Sequence, residues 1–532
     1  MSVSSGNQQK EVTVQQAVLD LLRQFNITKI FGNPGSTELP LFLDFPDDIQ
    51  YVLGLQESVV VGMAEGYAQA TRNASFVNLH SAVGVGHAMG NIFTAFKNRT
   101  PMVITAGQQS RSILPFEPFL FSNQPTELAK PYVKWSCEPA RGEDVPLAIA
   151  RAYYIAMQEP RGPVLVSVPA DDWSRKCEPV KARTVSQLTQ PDSAMLDLIG
   201  QQLDACDRPA FMIGGAVDRA GAWDEVVALA ERHRARVFVA PMSGRCGFPE
   251  DHPQFAGFLP AMREKIVNLL SGHDLIFAIG APAFTYHVEG FGPHLPDGAE
   301  LIQLTDDPNT ASWAPVGNAA VGNVKAGVHA LLQRPAPKER VMPEGRKPAP
   351  RAEPGSPMTT AFLLQTLAEL RAPDSIIVEE APSARPVMHQ YLPILQSETF
   401  YTMDSGGLGY SMPAAVGVAL GKPDKKVIAV IGDGSSMYSI QALWTAAELG
   451  LPITFVIINN GRYAALKEFA PTFGFGPDEA LKGTDLPKLD FVALAKGHGL
   501  EGVRVERADA LAAALKAAIA SPKPTLVDVV VA

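Results

Sequence analysis

The chain repeats one pattern along almost its whole length. Short runs of β-branched and apolar residues alternate with longer stretches whose apolar residues recur at helical spacing. The first runs are TKIFG, YVLGL, FVNLH and MVITAG, and a second set is AFMIGG, VFVA, DLIFAIG and ELIQL. A third set follows residue 355, with SIIVEE, KKVIAVIGDG, ITFVIINN and TLVDVVVA. Such alternation predicts an α/β fold of doubly wound parallel sheets, with helices on both faces.

Two stretches interrupt this pattern. Residues 179–194 are polar and show no periodicity, and residues 334–357 are rich in Pro, Arg and Glu. Segments of this composition bury little apolar surface, so both are expected to run over the surface as linkers. Together with the usual size of a domain, they predict three domains, over residues 1–180, 190–335 and 355–532.

Composition limits the partners and the compartment. The net charge of −10 argues against nucleic acid or an anionic membrane as a partner. The four cysteines are scattered without a Cys-x-x-Cys pair, which predicts neither a zinc site nor a disulfide framework. The N-terminus is polar, and no apolar run reaches the length of a membrane span. We therefore expect a cytoplasmic protein.

The most informative segment is VIAVIGDGSSMYSIQALWTAAELGLPITFVIINNG, which begins at Val427. It predicts a strand, a tight turn at Gly432–Gly434, a helix from Ser439, and a second strand that ends at Asn459–Asn460. Ends of neighbouring parallel strands meet at one edge of a sheet, where ligands bind. Carboxylate and amide oxygens together suit Mg²⁺ or Ca²⁺, and the helix start adds amide donors for a diphosphate. A Gly-Asp-Gly without the second strand end is more often only a turn.

Glu57 is a second candidate. It stands between a strand end and a helix start, among apolar neighbours that include Leu53, Leu55 and Val59. In such surroundings the pKa of a carboxyl group rises, which suits proton transfer near neutral pH. A glutamate in the first turn of a helix is also favoured by the helix dipole alone. The residues themselves leave both interpretations open.

Longer phrases carry a resemblance to a known family. A GDG followed by NN after a spacer of this size is the signature of the thiamine diphosphate enzymes, and the chain resembles them over nearly its whole length. Within that family it is most similar to the 2-oxo acid decarboxylases of the benzoylformate type. The phrases that carry the resemblance are FGNPGSTELP, NLHSAVGVGHAMG, TAGQQSR, VKWSCEP, PVLVSVPADDW, IGAPAFTYH, GGLGYSMPAAVGV and SIQALWTAAELGLP.

The resemblance implies a pyrimidine-binding, a middle and a diphosphate-binding domain that hold thiamine diphosphate through Mg²⁺ or Ca²⁺. It makes Asp433, Asn460 and the backbone carbonyl of Arg462 the metal ligands, and Leu408 the residue that bends the cofactor. Glu57 becomes the carboxyl group that activates the cofactor of another subunit, which implies a homodimer at least and a homotetramer by expectation. The residues implied to bind the cofactor are Gly407, Leu408, Gly432, Asp433, Gly434, Ser435, Asn460, Arg462, Tyr463 and Ala464.

The resemblance also implies roles in the reaction. Ser36 orients the substrate carboxylate, His80 is the acid or base beside the 2-oxo group, and His287 donates a proton after CO₂ has left. Taken alone, the serine could be a turn residue, and a single histidine is more often a core residue whose polar atoms are satisfied by backbone. The phrase around each residue, and not its type, supports the assigned role. The implied substrate pocket consists of Phe119, Leu120, Pro382, Ser383, Thr402, Ala465, Leu466 and Phe469.

The pocket departs from the benzoylformate pattern. Phe119 and Leu120 stand where two leucines are expected, Thr402 where a phenylalanine is expected, and Pro382 where a hydroxyl residue is expected. Changes of this size in an apolar pocket alter substrate preference by about 1–3 kcal/mol. The resemblance implies an aryl 2-oxo acid, whereas these departures leave an aliphatic or hydroxylated 2-oxo acid, or an acyl acceptor, open as alternatives.

Three functions remain open from the sequence. They are a decarboxylase of an aryl 2-oxo acid, a carboligase such as an acetolactate-synthase-like or acyloin-forming enzyme, and a catalytically silent protein of the same fold. The presence of Glu57, Asp433 and Asn460 together argues against the silent protein. His80 and His287 favour the decarboxylase, because a ligase must delay protonation. Isolated glycines in the middle domain are too little to indicate a flavin site.

Overall fold

The computed structural model describes residues 11–476 and 479–532. The first ten residues, on which the prediction of a polar N-terminal segment falls, lie outside the described residues. The described chain forms two compact units. One contains residues 11–187 with Val416–Lys422 and Gln441–Leu449, and the other contains Leu188–Ala415, Pro423–Ile440 and Gly450–Ala532.

The first unit is organised around a six-stranded parallel sheet. Its central strands are buried on both faces, as expected of apolar strands covered by helices. In spatial order the strands are Gln50–Leu53, Lys29–Gly32, Ser75–Leu79, Met102–Gln108, Pro163–Pro169 and Ser136–Cys137. The helices are Val14–Gln24, Glu57–Thr71, Ser81–Lys97 and Val145–Met157, with 3₁₀ turns at Leu39–Phe42, Leu114–Phe116, Gly142–Asp144 and Ala170–Asp172. Val12–Thr13 and Lys176–Cys177 form a short antiparallel pair.

The second unit holds two further six-stranded parallel sheets, of which the first comes from the middle of the chain. Its strands in spatial order are Phe255–Phe258, Arg236–Val239, Pro209–Ile213, Leu275–Ile279, Glu300–Thr305 and Asn318–Val321. The helices of this region are Ser193–Ala205, Gly215–Arg219, Trp223–His233, Arg263–Leu269, Pro308–Ser312 and Val324–Leu332.

The third sheet is built from the C-terminal part of the chain. Its strands in spatial order are Phe400–Tyr401, Ile376–Glu380, Val427–Gly432, Ile453–Asn459, Thr525–Val530 and Glu501–Val505. The helices are Thr360–Leu370, Arg385–Tyr391, Ser411–Gly421, Asp433–Ser436, Ala442–Glu448, Ala464–Phe469, Phe491–Gly497 and Ala508–Ala520, with a 3₁₀ turn at Ala470–Phe473. Three parallel sheets with helices between their strands confirm the predicted fold class.

The second predicted linker, residues 334–357, forms hydrogen bonds with the rest of the chain that its composition did not predict. Its residues 335–355 form neither helix nor strand, in agreement with the prediction. Arg340 is nevertheless buried, and its guanidinium donates to the carbonyl oxygens of Leu203 at 2.7 Å and Cys206 at 3.1 Å. Composition predicts that the segment buries little apolar surface. It does not show that an arginine side chain of the segment can donate hydrogen bonds to the last carbonyl oxygens of a neighbouring helix. These hydrogen bonds hold the segment against the C-terminal end of helix Ser193–Ala205.

Glycines of the middle sheet have a packing role. A Cβ atom at Gly214 would lie 2.3 Å from the carbonyl oxygen of Gly280, so two strand ends approach each other through bare backbone. The amide of Ala216 donates to that same oxygen at 3.1 Å. Close packing of the backbone therefore requires a glycine at Gly214.

Within residues 11–476 and 479–532, every helix is too short or too polar to span a lipid bilayer.

Candidate active site

Two loops meet at one edge of the C-terminal sheet. Strands Val427–Gly432 and Ile453–Asn459 are parallel neighbours, with Gly432 opposite Ile458, so both chains leave the sheet at the same edge. The buried carboxylate of Asp433 joins the two loops, because it accepts hydrogen bonds from the amides of Gly434 at 2.7 Å and Gly461 at 2.6 Å. The structure thus brings together the two turns that the sequence predicted to be adjacent.

The helix next to this turn differs from the prediction. A single helical turn, Asp433–Ser436, follows the strand directly, and the longer helix begins only at Ala442. Hydrogen bonds from the Ser436 hydroxyl to the Asp433 carbonyl and from the Ser439 amide to Ser436 replace a continuous helix here. Serine side chains compete with helical backbone hydrogen bonds, which explains why the helix does not start at Ser439.

The paired asparagines have different surroundings. Asn459 is buried, and its amide nitrogen donates to Asp528 at 2.9 Å inside the sheet. Asn460 is half-buried, and its side-chain oxygen accepts from the amide of Arg462 at 3.2 Å. Asn460 is thus the asparagine whose oxygen lies at the more open side of the loop.

The donor set around Asp433 fits a hard divalent cation. Burial raises the pKa of Asp433, although amide donors from Gly434 and its other neighbours oppose this effect. Among the described residues, no lysine, arginine or histidine forms an ion pair with this carboxylate. A buried carboxylate, an amide oxygen on Asn460 and a backbone carbonyl at Arg462 are the kinds of oxygen ligand that Mg²⁺ and Ca²⁺ prefer.

Tyr463 closes the other side of this turn. A Cβ atom at Gly434 would lie 2.3 Å from the Tyr463 ring, so a glycine is required for the ring to pack there. Ala464 follows directly as the first residue of helix Ala464–Phe469, and Ser435 is buried in the turn. These predicted cofactor-binding residues therefore lie around one turn.

A fully buried carboxylate holds the loop that contains Gly407 and Leu408. Glu380 accepts three backbone hydrogen bonds of 2.6–2.7 Å, from the amides of Gly409, Tyr410 and Ser411. Burial raises the pKa of Glu380 to about 7, while these amides act to lower it. Sequence reasoning missed this residue. The available signal was a strand of otherwise apolar residues that ends in two adjacent glutamates.

Thr402, predicted as part of the pocket wall, is buried in a polar network. Its hydroxyl lies 2.9 Å from the carboxylate of Glu379 and 2.7 Å from Nη2 of Arg385. Burial acts to raise the pKa of Glu379, but Arg385 and the amide of Ala381 hold it below the ordinary value. Of the other predicted wall residues nearby, Pro382 is exposed and Ser383 is half-buried.

His287 lies beside another group of predicted pocket residues. Its ring centroid is 4.8 Å from that of Phe469, and its backbone amide donates to Ala261 at 2.9 Å. Phe469 ends the helix that also carries Ala465, which is half-buried, and Leu466, which is exposed. The structure thus brings His287 to the apolar helix that the sequence assigned to the pocket.

The other predicted residues belong to the first unit. Glu57 is the first residue of helix Glu57–Thr71, which Gln56 caps by accepting from the amide of Val59 at 3.1 Å. The Glu57 carboxylate lies 3.0 Å from Nδ1 of His87 on the next helix. The sequence predicted apolar surroundings and missed this imidazole, because the contact joins residues that are thirty positions apart.

His80 is oriented by a buried glutamate. Its Nδ1 lies 2.8 Å from Glu38, which also accepts from the amide of Gly35 at 2.9 Å and the hydroxyl of Thr37 at 2.6 Å. Because a carboxylate accepts hydrogen bonds, Nδ1 carries the proton and Nε2 is left for another partner. Ser36 is exposed on the same turn. The sequence analysis did not identify Glu38 as the partner of His80. The only indication of its importance was its position inside the phrase FGNPGSTELP.

Phe119 and Leu120 form no closed wall within the first unit. Phe119 is 88% exposed, and Leu120 has a left-handed backbone with φ 62°. Phe116, three residues before Phe119, is also 80% exposed, so two large apolar rings of this segment are exposed. The pocket wall assigned to Phe119 and Leu120 stays a prediction.

Known proteins resemble this chain over nearly its whole length. Residues 12–126 match the N-terminal TPP binding domain of the thiamine pyrophosphate enzymes, residues 196–331 match their central domain, and residues 383–529 match their C-terminal TPP binding domain. The chain is 42% identical over 522 residues to a benzoylformate decarboxylase of Pseudomonas aeruginosa, with coverage of 97% of this chain and 98% of the relative.

Two solved structures are similar over their full length. One is the thiamine diphosphate-dependent 4-hydroxybenzoylformate decarboxylase of Rhodococcus jostii RHA1, at 40% identity and a TM-score of 0.94, covering 98% of this chain and 99% of that one. The other is a benzoylformate decarboxylase from Polynucleobacter necessarius, at 40% identity and a TM-score of 0.95, covering 98% of each chain.

Proposed function

The chain belongs to the thiamine pyrophosphate enzymes, and on this basis we propose that it decarboxylates an aryl 2-oxo acid to an aldehyde and CO₂. Thiamine diphosphate (thiamine pyrophosphate) is the cofactor, and when bound it supplies the electron sink that allows the carboxylate to leave. The names of the similar proteins, which specify benzoylformate and 4-hydroxybenzoylformate, support the aryl class.

Asp433, Asn460 and the carbonyl of Arg462 would hold a divalent metal, Mg²⁺ or Ca²⁺, that anchors the diphosphate. The support is the buried Asp433 carboxylate, which has no basic partner among the residues that the structure describes, and the amide oxygen of Asn460 in the adjoining loop. The turn from Gly432 to Ser435, with Tyr463 and Ala464 behind it, would surround the diphosphate. Gly407 and Leu408 would lie against the cofactor, on the loop that Glu380 fixes.

The contact between His80 and Glu38 is the observation that supports the proposed decarboxylation most directly. An imidazole whose Nδ1 is fixed on a buried carboxylate presents Nε2 as a single proton donor or acceptor, which suits exchange with the oxygen of a 2-oxo group. The Ser36 hydroxyl, on the same turn as Glu38, would donate to the substrate carboxylate. A neutral donor suits this position, since a strong ion pair would stabilise the carboxylate against its loss. His287 would deliver the proton that replaces CO₂ on the reacting carbon.

Glu57 would exchange a proton with the aminopyrimidine ring of the cofactor. We propose that this ring belongs to a cofactor bound by a second subunit, which makes a homodimer the smallest active assembly and a homotetramer the expected one. The exposure of two rings close together in the sequence, Phe116 at 80% and Phe119 at 88%, supports this arrangement, because grouped apolar side chains at the surface mark interaction sites. A cytoplasmic location agrees with the scattered cysteines, all four of which are free among the described residues.

The proposal predicts a defined result from a panel of 2-oxo acids. With thiamine diphosphate and Mg²⁺ present, benzoylformate should give benzaldehyde and CO₂ in equal amounts, and faster than pyruvate or a branched-chain acid. Aldehyde is followed with a coupled dehydrogenase and CO₂ is measured separately. Acyloin without free aldehyde would identify the chain as a carboligase instead, and release of CO₂ from none of the acids would exclude decarboxylation.

A further inference from the structure

The guanidinium group of Arg385 belongs to the first residue of helix Arg385–Tyr391, which follows strand Ile376–Glu380 after a turn at residues 381–384. The Nε and Nη2 atoms of Arg385 donate to Oε2 of Glu379 at 3.0 and 2.6 Å, and Nη2 also lies 2.7 Å from the Thr402 hydroxyl. Glu379 is fully buried, whereas the side chain of Arg385 is 19% exposed. The carboxylate thus fixes one edge of the guanidinium in the interior and leaves part of the group at the surface.

The contacts of this guanidinium with the described residues all involve Nε and Nη2. Within the described part of the chain, Nη1 of Arg385 forms no hydrogen bond, while the Thr402 hydroxyl accepts from Nη2 and can donate to the Glu379 carboxylate or carbonyl. The unsatisfied donors therefore belong to Nη1. A guanidinium presents its donors in a fixed plane, so fixing one edge also fixes the direction of the other.

The position of Arg385 relates it to the proposed pocket. Pro382 and Ser383, both predicted wall residues, lie in the turn that directly precedes its helix, and Thr402, a third predicted wall residue, contacts its guanidinium. Glu380, which follows Glu379 in the strand, holds the loop that carries Leu408. The Arg385 guanidinium thus lies near the strand end whose Glu380 holds the loop that carries Leu408, and it is hydrogen-bonded to Thr402.

The charge of the pair limits what Nη1 would bind. Glu379 and Arg385 together are neutral, so a second carboxylate on the substrate would find no net positive charge. A neutral acceptor, such as a phenolic oxygen, needs only the donor. We propose that Arg385 is a specificity-determining residue whose Nη1 donates to an oxygen substituent on the aryl ring, so that ring-hydroxylated 2-oxo acids are the preferred substrates. This proposal rests on the proposed function and narrows its substrate class.

The test compares substrates of equal size that differ only in this oxygen. For the wild type we expect kcat/KM for 4-hydroxybenzoylformate to exceed that for 4-methylbenzoylformate by about tenfold or more, the usual effect of one hydrogen bond to a charged donor. Replacement of Arg385 alone would leave a buried carboxylate unpaired, so the variant is Glu379→Gln with Arg385→Met. In that double variant the ratio should fall to about one.

A matched control removes an exposed ion pair from the same unit. Glu369→Gln with Arg351→Met should leave the substrate ratio as in the wild type, since that pair lies 2.9 Å apart on the surface and outside the turn. Binding of 4-hydroxymandelate and 4-methylmandelate, which carry no 2-oxo group, is measured by calorimetry and should show the same preference and the same loss in the Glu379–Arg385 variant.

Three outcomes would overturn the assignment. They are a wild type without preference for the hydroxyl, a double variant that keeps the preference, and a stronger preference for 4-carboxybenzoylformate. Failure of the proposed function is distinguishable from these, because it appears as no turnover of any aryl acid, whereas the mandelate binding ratio still reports on Arg385.

Discussion

Replacement of Glu57 by glutamine is expected to lower kcat by about 100- to 10,000-fold, the range typical of losing a positioned proton-transfer group. Glutamine has nearly the same size and can still accept a hydrogen bond from His87, which lies 3.0 Å from the carboxylate. It cannot take up or release a proton near neutral pH. The fold should therefore persist while the reaction stops, which is measured as CO₂ release under saturating cofactor and substrate.

Two controls separate this loss from misfolding. Glu178→Gln changes an exposed glutamate of the same unit and should keep wild-type turnover. The Glu57→Gln variant should also retain its melting temperature and its Mg²⁺-dependent binding of the diphosphate, because the proposed metal ligands lie in the other unit. Turnover close to that of the wild type would show that Glu57 has no part in activation.

Replacement of Asp433 by asparagine is expected to weaken Mg²⁺-dependent binding of thiamine diphosphate by at least about 100-fold. Loss of a residue that only supports a metal ligand already lowers metal affinity by up to about this factor, and loss of a ligand should cost at least as much. The substitution removes the carboxylate charge that the metal would neutralise. It also turns an acceptor of the Gly434 and Gly461 amides into a group that is partly a donor, so the two loops lose part of their connection.

Calorimetric titration of the cofactor, with and without Mg²⁺, measures this effect directly. Asp424→Asn alters an exposed aspartate before the same strand and serves as the matched control, with no change expected. Wild-type affinity in the Asp433→Asn protein, or binding that does not depend on a divalent metal, would remove Asp433 from the metal site.

The part of the site that lies at strand ends was predictable from the sequence. The two strands, the Gly-Asp-Gly turn and the paired asparagines are all local features, and parallel pairing then requires Asp433 and Asn459 to leave the sheet together. The parallel sheets were also predictable from local features, because the spacing of apolar residues along the sequence shows the alternation of strands and helices.

The residues that orient the predicted site residues were not predictable from local sequence features. Glu38, His87, Glu379 and Glu380 act through contacts made in the folded chain, such as the 2.8 Å contact between Glu38 and His80. A buried carboxylate is stable only with partners, and those partners come from distant segments that periodicity does not pair. Thr402 illustrates the same limit, since its polarity suggested a more polar pocket wall and not the network with Arg385.

We propose that Glu57 of one subunit and Asp433 of another subunit contribute to the same active site. Co-expression of the Glu57→Gln and Asp433→Asn chains, each nearly inactive alone, tests it directly. In a mixed dimer both changes fall in one site and the other site is intact, so random assembly should restore about a quarter of the wild-type decarboxylation rate. Activity no higher than that of the separate variants would contradict a site shared between subunits.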